Sequence, residues 1–440
     1  MLTLEDNEFL TRVGPGTPAG NLMRQYWVPA LLSSELPEPD CTPVRVLLLD
    51  EKLIAFRDSN GQVGLIANHC PHRGASLFFG RNEECGLRCV YHGWKFDVTG
   101  RCVDMPNEPP ESNFKDKIEA VAYPCRERGG VVWTYMGPRA TPPPLPDLEA
   151  NMLPDGECMA NAVQRECNWL QGLEGEIDTS HFSFLHLGGL KVEDVPPGTF
   201  QRYLLTDRAP RFAVVDTEYG AMYGAYRAAH DGLDYWRIAQ FLLPFYAMIP
   251  PGVLGLQRVV RAWVPMDDTH MMFFSMASMD TYARLGGGPR LKASGASPWQ
   301  LLPNTTDWYG RFRLAANAGN DYLIDREKQH SGEEFTGITG VHAQDQAITE
   351  SMGSIYDRCN EHLGAADVMV IRARRRLLDA ARALAEKGST PPGVDNPEVY
   401  RVRSGGVFLP HGADWVEATK ELRKALVDHP ELDPAVSGGA

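Results

Sequence analysis

Positive charge is in short supply in this chain. Among 440 residues, 43 Lys and Arg face 57 Asp and Glu, a net charge of −14. Such a surface repels phosphate backbones, which argues against a nucleic-acid binder. Long apolar runs are missing too. A membrane-spanning helix needs ~20 apolar residues in succession, and the most apolar stretch, 241–256, is broken by Pro244, Pro250 and Pro251. The opening MLTLEDNEFLTR carries acids where a secretory signal carries bases, so a cytoplasmic protein without a membrane segment is expected. Nine irregularly spaced cysteines do not make a disulfide scaffold. In a reducing compartment, clustered Cys and His point to metal instead. No G-x-G-x-x-G fingerprint occurs, so no nicotinamide site is expected. What the chain does have is 43% apolar and 23% charged residues, the composition of a globular protein. Its length allows two or three domains at ~100–200 residues each.

The pattern along the chain changes twice. Residues 1–25 read as a short helical lead broken by Gly14-Pro-Gly-Thr-Pro18. Residues 26–138 hold short β-rich runs (44–49, 52–57, 63–67 and 130–136) separated by turn residues, which predicts a small antiparallel β domain. The proline-rich 141–146 reads as a linker. Residues 139–440 form the third region. Its runs 212–219, 235–243, 258–264 and 271–277 alternate like strands. Residues 168–186, 304–329 and 344–387 look helical, and 284–297 reads as a mobile loop. The predicted class is α+β: a small β domain, then a larger domain with an antiparallel sheet.

Two constellations carry chemistry. Cys70-x-His72 is followed, after sixteen residues, by Cys89-x2-His92, and each pair lies at a turn between predicted strands. A structural zinc site is the plainer reading, but zinc modules usually offer like ligands on each arm. One Cys and one His per arm suits a two-iron cluster in which both cysteines hold one iron and both histidines the other, a Rieske centre. His69 and Cys85 lie nearby and are read as bystanders, with Trp94 and Phe96 as a shielding wall.

The second constellation is in NWLQGLEGEIDTSHFSFLH, 168–186. On a continuous helix Glu174, Asp178 and His181 share one face. His186, five residues on, would sit about 140° away unless a π-bulge or a helix end after His181 intervened. Two histidines and a distant carboxylate make a facial triad with open positions on iron. Asp345 in the segment 340–353 is the favoured third ligand, with Glu350 as its competitor.

These motifs resemble those of the α-subunits of Rieske non-haem iron oxygenases, and specifically the phthalate dioxygenase-like branch. The similar runs are Cys70-x-His72…Cys89-x2-His92, Asn168-Trp…Gln171…Glu174-Gly…Asp178-x2-His181-x4-His186 and Gln344-Asp-Gln346. The opening MLTLEDNEFLTRVG, 335–340, 352–358 and 362–367 are similar as well. The resemblance implies a Rieske antiparallel β fold followed by a helix-grip, START-like catalytic domain. The implied cofactors are a 2Fe-2S cluster on Cys70, His72, Cys89 and His92 and a mononuclear Fe(II) on His181, His186 and Asp345. It implies head-to-tail assembly as a homotrimer or stacked hexamer. Asp178 would be the bridging carboxylate between His181 and a cluster histidine, His72 or His92, of the adjoining copy.

The activity implied is O2-dependent hydroxylation of an aromatic, carboxylated substrate. The electrons would come from a separate NAD(P)H-dependent reductase with flavin and iron–sulfur centres. An O-demethylase acting on a methoxylated aromatic acid is the alternative. A Rieske electron carrier and a zinc-stabilised binding module are the further rivals, the former opposed by the His181/His186 pair. Arg237, a charge amid apolar strand residues, is read as an anchor for a substrate carboxylate. A dicarboxylate would favour a second arginine, for which Arg202, Arg208 and Arg211 are the candidates. The basic run 372–376 is read as a solvated helix face, with docking of an acidic ferredoxin domain as its alternative.

Overall fold

Short turns between β-branched runs leave the first third of the chain little choice but hairpins. The computed structural model describes residues 1–197, 199–282 and 299–432. Two helices lead in, Leu4–Thr11 and Pro18–Arg24, capped by the hydroxyls of Thr3 and Thr17. Three small antiparallel sheets follow. The first joins Trp27–Leu32, Val131–Tyr135 and Cys125–Arg128; the second Val44–Leu48, Glu51–Arg57, Val63–Ala67 and Ala122–Tyr123. The third joins Arg81–Glu83, Gly86–Arg88, Lys95–Phe96 and Cys102–Asp104.

Beyond residue 150 one eight-stranded antiparallel sheet dominates. In spatial order it runs Cys158–Arg165, Met271–Ser278, Val259–Pro265, Tyr246–Met248, Leu233–Leu242, Gly220–Ala228 and Arg211–Thr217. Gly405–Pro410 also pairs with Leu233–Leu242. Helices Trp169–Ile177 and Val368–Lys387 pack on it. A single apolar core runs from Leu10 through Trp133 to Tyr400, so the lead-in helices, the first sheet and the large sheet share one interior. A separate small core lies beneath Cys70 and Cys89. No helix among the described residues is long and apolar enough to cross a membrane.

Two expectations meet a different structure, and a third falls where nothing is described. The loop at 284–297 lies outside the described residues. The helical reading of 304–329 reduces to Ala318–Leu323 and Arg326–Ser331. There Asn304 and Asn317 accept backbone N–H groups with their side chains and compete with a helix. The basic run is not a solvated face. Arg374 is buried against Glu174 and Glu361, Arg372 pairs with Asp216 at 3.0 Å, and Arg376 donates to the Thr217 carbonyl. Only Arg375 is strongly exposed.

Glu174 is the keystone of that buried network. It receives Arg358 at 2.9 Å and Arg374 at 2.6 Å. Burial opposes its ionisation, but the two guanidiniums outweigh burial and hold its carboxyl below the usual range. A depressed folded value means that the stabilisation is present above the unfolded value of ~4.3 and is lost as pH falls through the folded one. Glu174→Ala strands Arg358 and is expected to cost about 3–5 kcal/mol at pH 7. Denaturant midpoints should show the deficit shrinking toward pH 3; an equal deficit at both pH values would contradict the account.

Candidate metal centres

The two cluster loops are built alike. Cys70 donates its N–H to the Ala75 carbonyl, and Cys89 to that of Trp94. Four residues after each cysteine a glycine donates back to the cysteine carbonyl, at 2.9 Å for both Gly74 and Gly93. Both glycines hold positive φ, 76° and 82°, where other residues are strained. A Cβ on Gly93 would also strike Pro106. The cysteines are buried, and the histidines sit half-buried at the tips. The His72 and His92 rings lie 4.5 Å apart, and Trp94 stacks on His72 at 4.3 Å. Trp94 is held by its indole N–H on Asn107, and Phe96 closes the floor. His69 turns back to the Gly74 carbonyl, and the Cys85 N–H donates to Ser59.

The donor set fits a two-iron cluster. His72 Nδ1 is buried without a hydrogen-bond partner. Burial pushes the Cys70 thiol up to about 11, with Cys89 adding to the shift, so a cation is needed to bring the Cys70 sulfur to the thiolate form. Among the described residues, the one set of metal-binding side chains whose donor atoms all lie within 4.8 Å is His181, His186 and Asp345.

The second centre forms where helix Trp169–Ile177 ends. Asn168 caps its start and Asp178 its end, so Glu174, Asp178 and His181 do not share a continuous helix face. After a tight turn, Phe182–His186 forms one π-helical turn. Its wider pitch brings His186 back to His181, because ~3.6 residues per turn would not. His181 Nε2 and His186 Nε2 stand 3.2 Å apart. Asp345 Oδ1 lies 3.6 Å and 3.1 Å from them, presented by helix Val341–Ser351. Donors ~2.1 Å from one ion and at right angles to each other are ~3 Å apart, so these three can occupy one face of an octahedron. Glu350 is engaged elsewhere, accepting from the Glu166 N–H at 2.8 Å and the Tyr322 hydroxyl at 2.5 Å.

Each histidine is oriented from behind. Asp178 Oδ2 faces His181 Nδ1 at 3.6 Å, and Asp178 Oδ1 accepts the Ser180 N–H. Burial opposes a charged His181, but Asp178 and Asp345 outweigh it and raise its pKa. His186 Nδ1 meets Gln344 Oε1 at 2.7 Å, and Gln344 Nε2 donates to the Ile338 carbonyl. A proton on each Nδ1 leaves both Nε2 lone pairs free to converge. Gln344 entered the sequence reading only as a flank of Asp345. Gln344→Leu is expected to weaken mononuclear iron binding about 10–100-fold. A chelator competition, with the cluster absorbance as internal control, measures it; unchanged affinity would remove Gln344 from this role.

Arg237 lies 4% exposed on the sheet face beside this centre. Its Nε donates to Thr179 Oγ1 at 3.3 Å, and its guanidinium sits 5.4 Å from the Phe182 ring and 5.2 Å from that of Phe200. Phe182 in turn stands 5.0 Å from the His186 ring. The three arginines considered as its companion are placed otherwise. Arg202 donates to the Val192 and Val195 carbonyls, Arg208 lies over Phe184, and Arg211 is exposed. The neighbour of Arg237 on its own face is Arg227, which spacing alone did not single out.

Two known families match the chain. Residues 26–123 match the family described as Rieske 2Fe-2S domain, and 134–436 match the family described as LigXa C-terminal domain like. The chain is 49% identical to the 3-chlorobenzoate-3,4-dioxygenase oxygenase subunit of Comamonas testosteroni, over 97% of this chain and 100% of that one. It is 40% identical to the phthalate 4,5-dioxygenase oxygenase subunit of Pseudomonas putida, over 97% of each. Its fold is similar to the crystal structure of dicamba monooxygenase bound to dicamba, with a TM-score of 0.57 and 16% identity, over 83% of this chain and 99% of that one.

Proposed function

This chain belongs to the Rieske non-haem iron oxygenases of the phthalate dioxygenase type, and on that premise we propose that it is the oxygenase component that hydroxylates an aromatic carboxylic acid. The observation that carries the reading is the coexistence, in one chain, of two matched Cys/His loops whose histidine rings meet and a tight His181–His186–Asp345 triad. An electron relay and an oxygen-activating centre are both needed, and neither alone would make an oxygenase. Cys70, Cys89, His72 and His92 would hold the 2Fe-2S cluster, and the triad the single Fe(II).

When bound, the iron pair supplies single electrons and the lone iron supplies the activation of dioxygen for attack on the substrate. The protein's own part is geometric. Asp178 and Gln344 orient the two histidines, and the three ligands gathered on one side leave open positions opposite. Arg237 supplies a charge-assisted hydrogen bond to a substrate carboxylate, one aromatic ring away from His186. Phe182 and Phe200 give the arene apolar surface beside it. The domain division at about residue 138 follows the same reading.

An oxygenase component of this family draws its electrons from a reductase or ferredoxin partner. The finer expectation is an NAD(P)H-dependent reductase with flavin and iron–sulfur centres, and a head-to-tail homotrimer or stacked hexamer. Two features support the assembly. His72 and His92 sit half-buried at the loop tips, near in the chain to the exposed apolar side chains of Val90 and Tyr91. Asp178 is about a third exposed beyond His181, within reach of an adjoining copy.

The test is a screen of aromatic acids with NADH and a surrogate reductase, reading O2 uptake against product. Acid-stimulated uptake coupled to a hydroxylated ring is expected. Formaldehyde release from methoxylated acids would mark demethylation instead. A colourless protein with zinc and no acid-labile sulfide would overturn the reading.

A further inference from the structure

The residue before each cluster cysteine reaches across its own loop to the matching carbonyl. His69 Nδ1 donates to the Gly74 carbonyl at 2.9 Å, and Arg88 Nη1 donates to the Gly93 carbonyl at 2.8 Å. Two loops of the same backbone form are thus closed by the same contact from different side chains. The closures differ in charge. His69 is exposed, and its Nε2 accepts from Asn68 Nδ2 at 3.4 Å. One ring nitrogen donates and the other accepts, which is the neutral imidazole. Among the described residues no carboxylate pairs with it. Arg88 keeps its charge throughout, and its side chain is 18% exposed. Its Nε meets Glu83 at 2.9 Å, and Nη1 also meets Asp104 at 2.6 Å.

Asp104, chiefly through its bond to Arg88, and Glu83, through Arg81 and then Arg88, are held below the usual carboxylate range. Both are anions that the guanidinium balances beside the second loop. Glu84, 3.5 Å from Arg88 Nη2, is shared with Lys95 at 3.1 Å. Gly93 follows His92 directly and is fixed in place: its φ of 82° suits glycine, and a Cβ there would strike Pro106. The guanidinium bonded to its carbonyl is therefore held at a set position on the loop that carries Cys89 and His92. Being mostly out of water, it is screened less than a surface charge. Nearby charge and hydrogen bonding set the potential of an iron–sulfur site, and positive charge favours the form with the extra electron.

We infer that Arg88 is a positioning residue that raises the reduction potential of the cluster, by its charge at the Gly93 carbonyl and by balancing Asp104 and Glu83, whereas His69 closes the first loop without that effect. The inference rests on the two-iron reading of Cys70, His72, Cys89 and His92 and holds for any substrate.

Potentiometric titration of the metal-loaded oxygenase, followed by cluster absorbance without substrate or reductase, tests it. Arg88→Met should lower the ratio of reduced to oxidised cluster at a fixed ambient potential by about tenfold or more, ~59 mV for one electron. Asp104→Asn removes an anion, leaves the Arg88–Gly93 bond, and should raise the ratio by about threefold or more. Arg88→Lys keeps the charge but not the fork, and should recover part of the loss. His69→Leu changes no charge and should move the ratio by less than about threefold. A merely structural role would not give opposite signs for Arg88→Met and Asp104→Asn. Should Arg88→Met fail to retain its cluster, the sign for Asp104→Asn decides. An unchanged or raised potential in Arg88→Met, no rise in Asp104→Asn, or an equal fall in His69→Leu would overturn the assignment and leave the two-iron reading standing. A wild type with no reversible absorbance change on reduction would overturn both.

Discussion

Asp178→Asn should leave both iron sites filled and cut steady-state turnover at least ~100-fold. The substitution keeps the side chain's size and its ability to accept the Ser180 N–H, so the end of helix Trp169–Ile177 should survive. What it removes is the negative charge facing His181 Nδ1 at 3.6 Å. That charge orients the imidazole and, with Asp345, outweighs the burial that opposes a proton on it. In the proposed head-to-tail assembly it would also join His181 to a cluster histidine of the next copy by charge-assisted hydrogen bonds, so electron delivery would fail while binding persists. Iron content, cluster absorbance and substrate affinity should match the wild type. A single turnover begun with all iron pre-reduced should be far less impaired than steady-state turnover. Normal steady-state rates would refute the bridging role, and loss of the mononuclear iron would reduce Asp178 to a support for His181.

Replacing Asp345 should be as damaging by a different route. Asp345→Ala is expected to lose the mononuclear iron and with it all substrate-dependent O2 uptake, while the cluster keeps its colour and potential. Its carboxyl is held below the usual range: burial opposes ionisation, and His186 and His181 outweigh it. An anionic oxygen is therefore in place 3.1 Å and 3.6 Å from the two imidazole nitrogens. Glu350→Gln is the informative contrast. Glu350 serves the Glu166 N–H and the Tyr322 hydroxyl, so its replacement should perturb that local packing and leave iron content unchanged. Iron retained in Asp345→Ala and lost in Glu350→Gln would reverse the assignment.

The Glu174 network shows why an apparent surface feature became interior. Read along the chain, 372–376 is a run of charge on a helix, and charge runs are usually solvated. Only the fold places Glu174 and Glu361 against Arg374 and aligns Asp216 with Arg372. The run is thereby divided among partners on three different segments, with Arg375 left as its strongly exposed member.

The sequence by itself determined the parts whose donors lie close together along the chain. Cys70, His72, Cys89 and His92 are tied by hairpin loops whose glycines are visible in the motif. The five-residue step from His181 to His186 already required something other than an α-helix. Four of the eight strands of the large sheet were legible for the same reason, since alternation is a local property; Cys158–Arg165, Gly220–Ala228, Tyr246–Met248 and Gly405–Pro410 were not singled out. Tertiary structure alone decided what arrives from a distance. Gln344 reaches His186 across 158 positions, pairing of two strands sets Arg227 beside Arg237, and the choice between Asp345, favoured in the sequence, and Glu350 is met by the helix that brings Asp345 to both histidines. Spacing within a segment is fixed by backbone geometry, whereas meeting across the fold depends on register and packing, which depend on the whole chain at once.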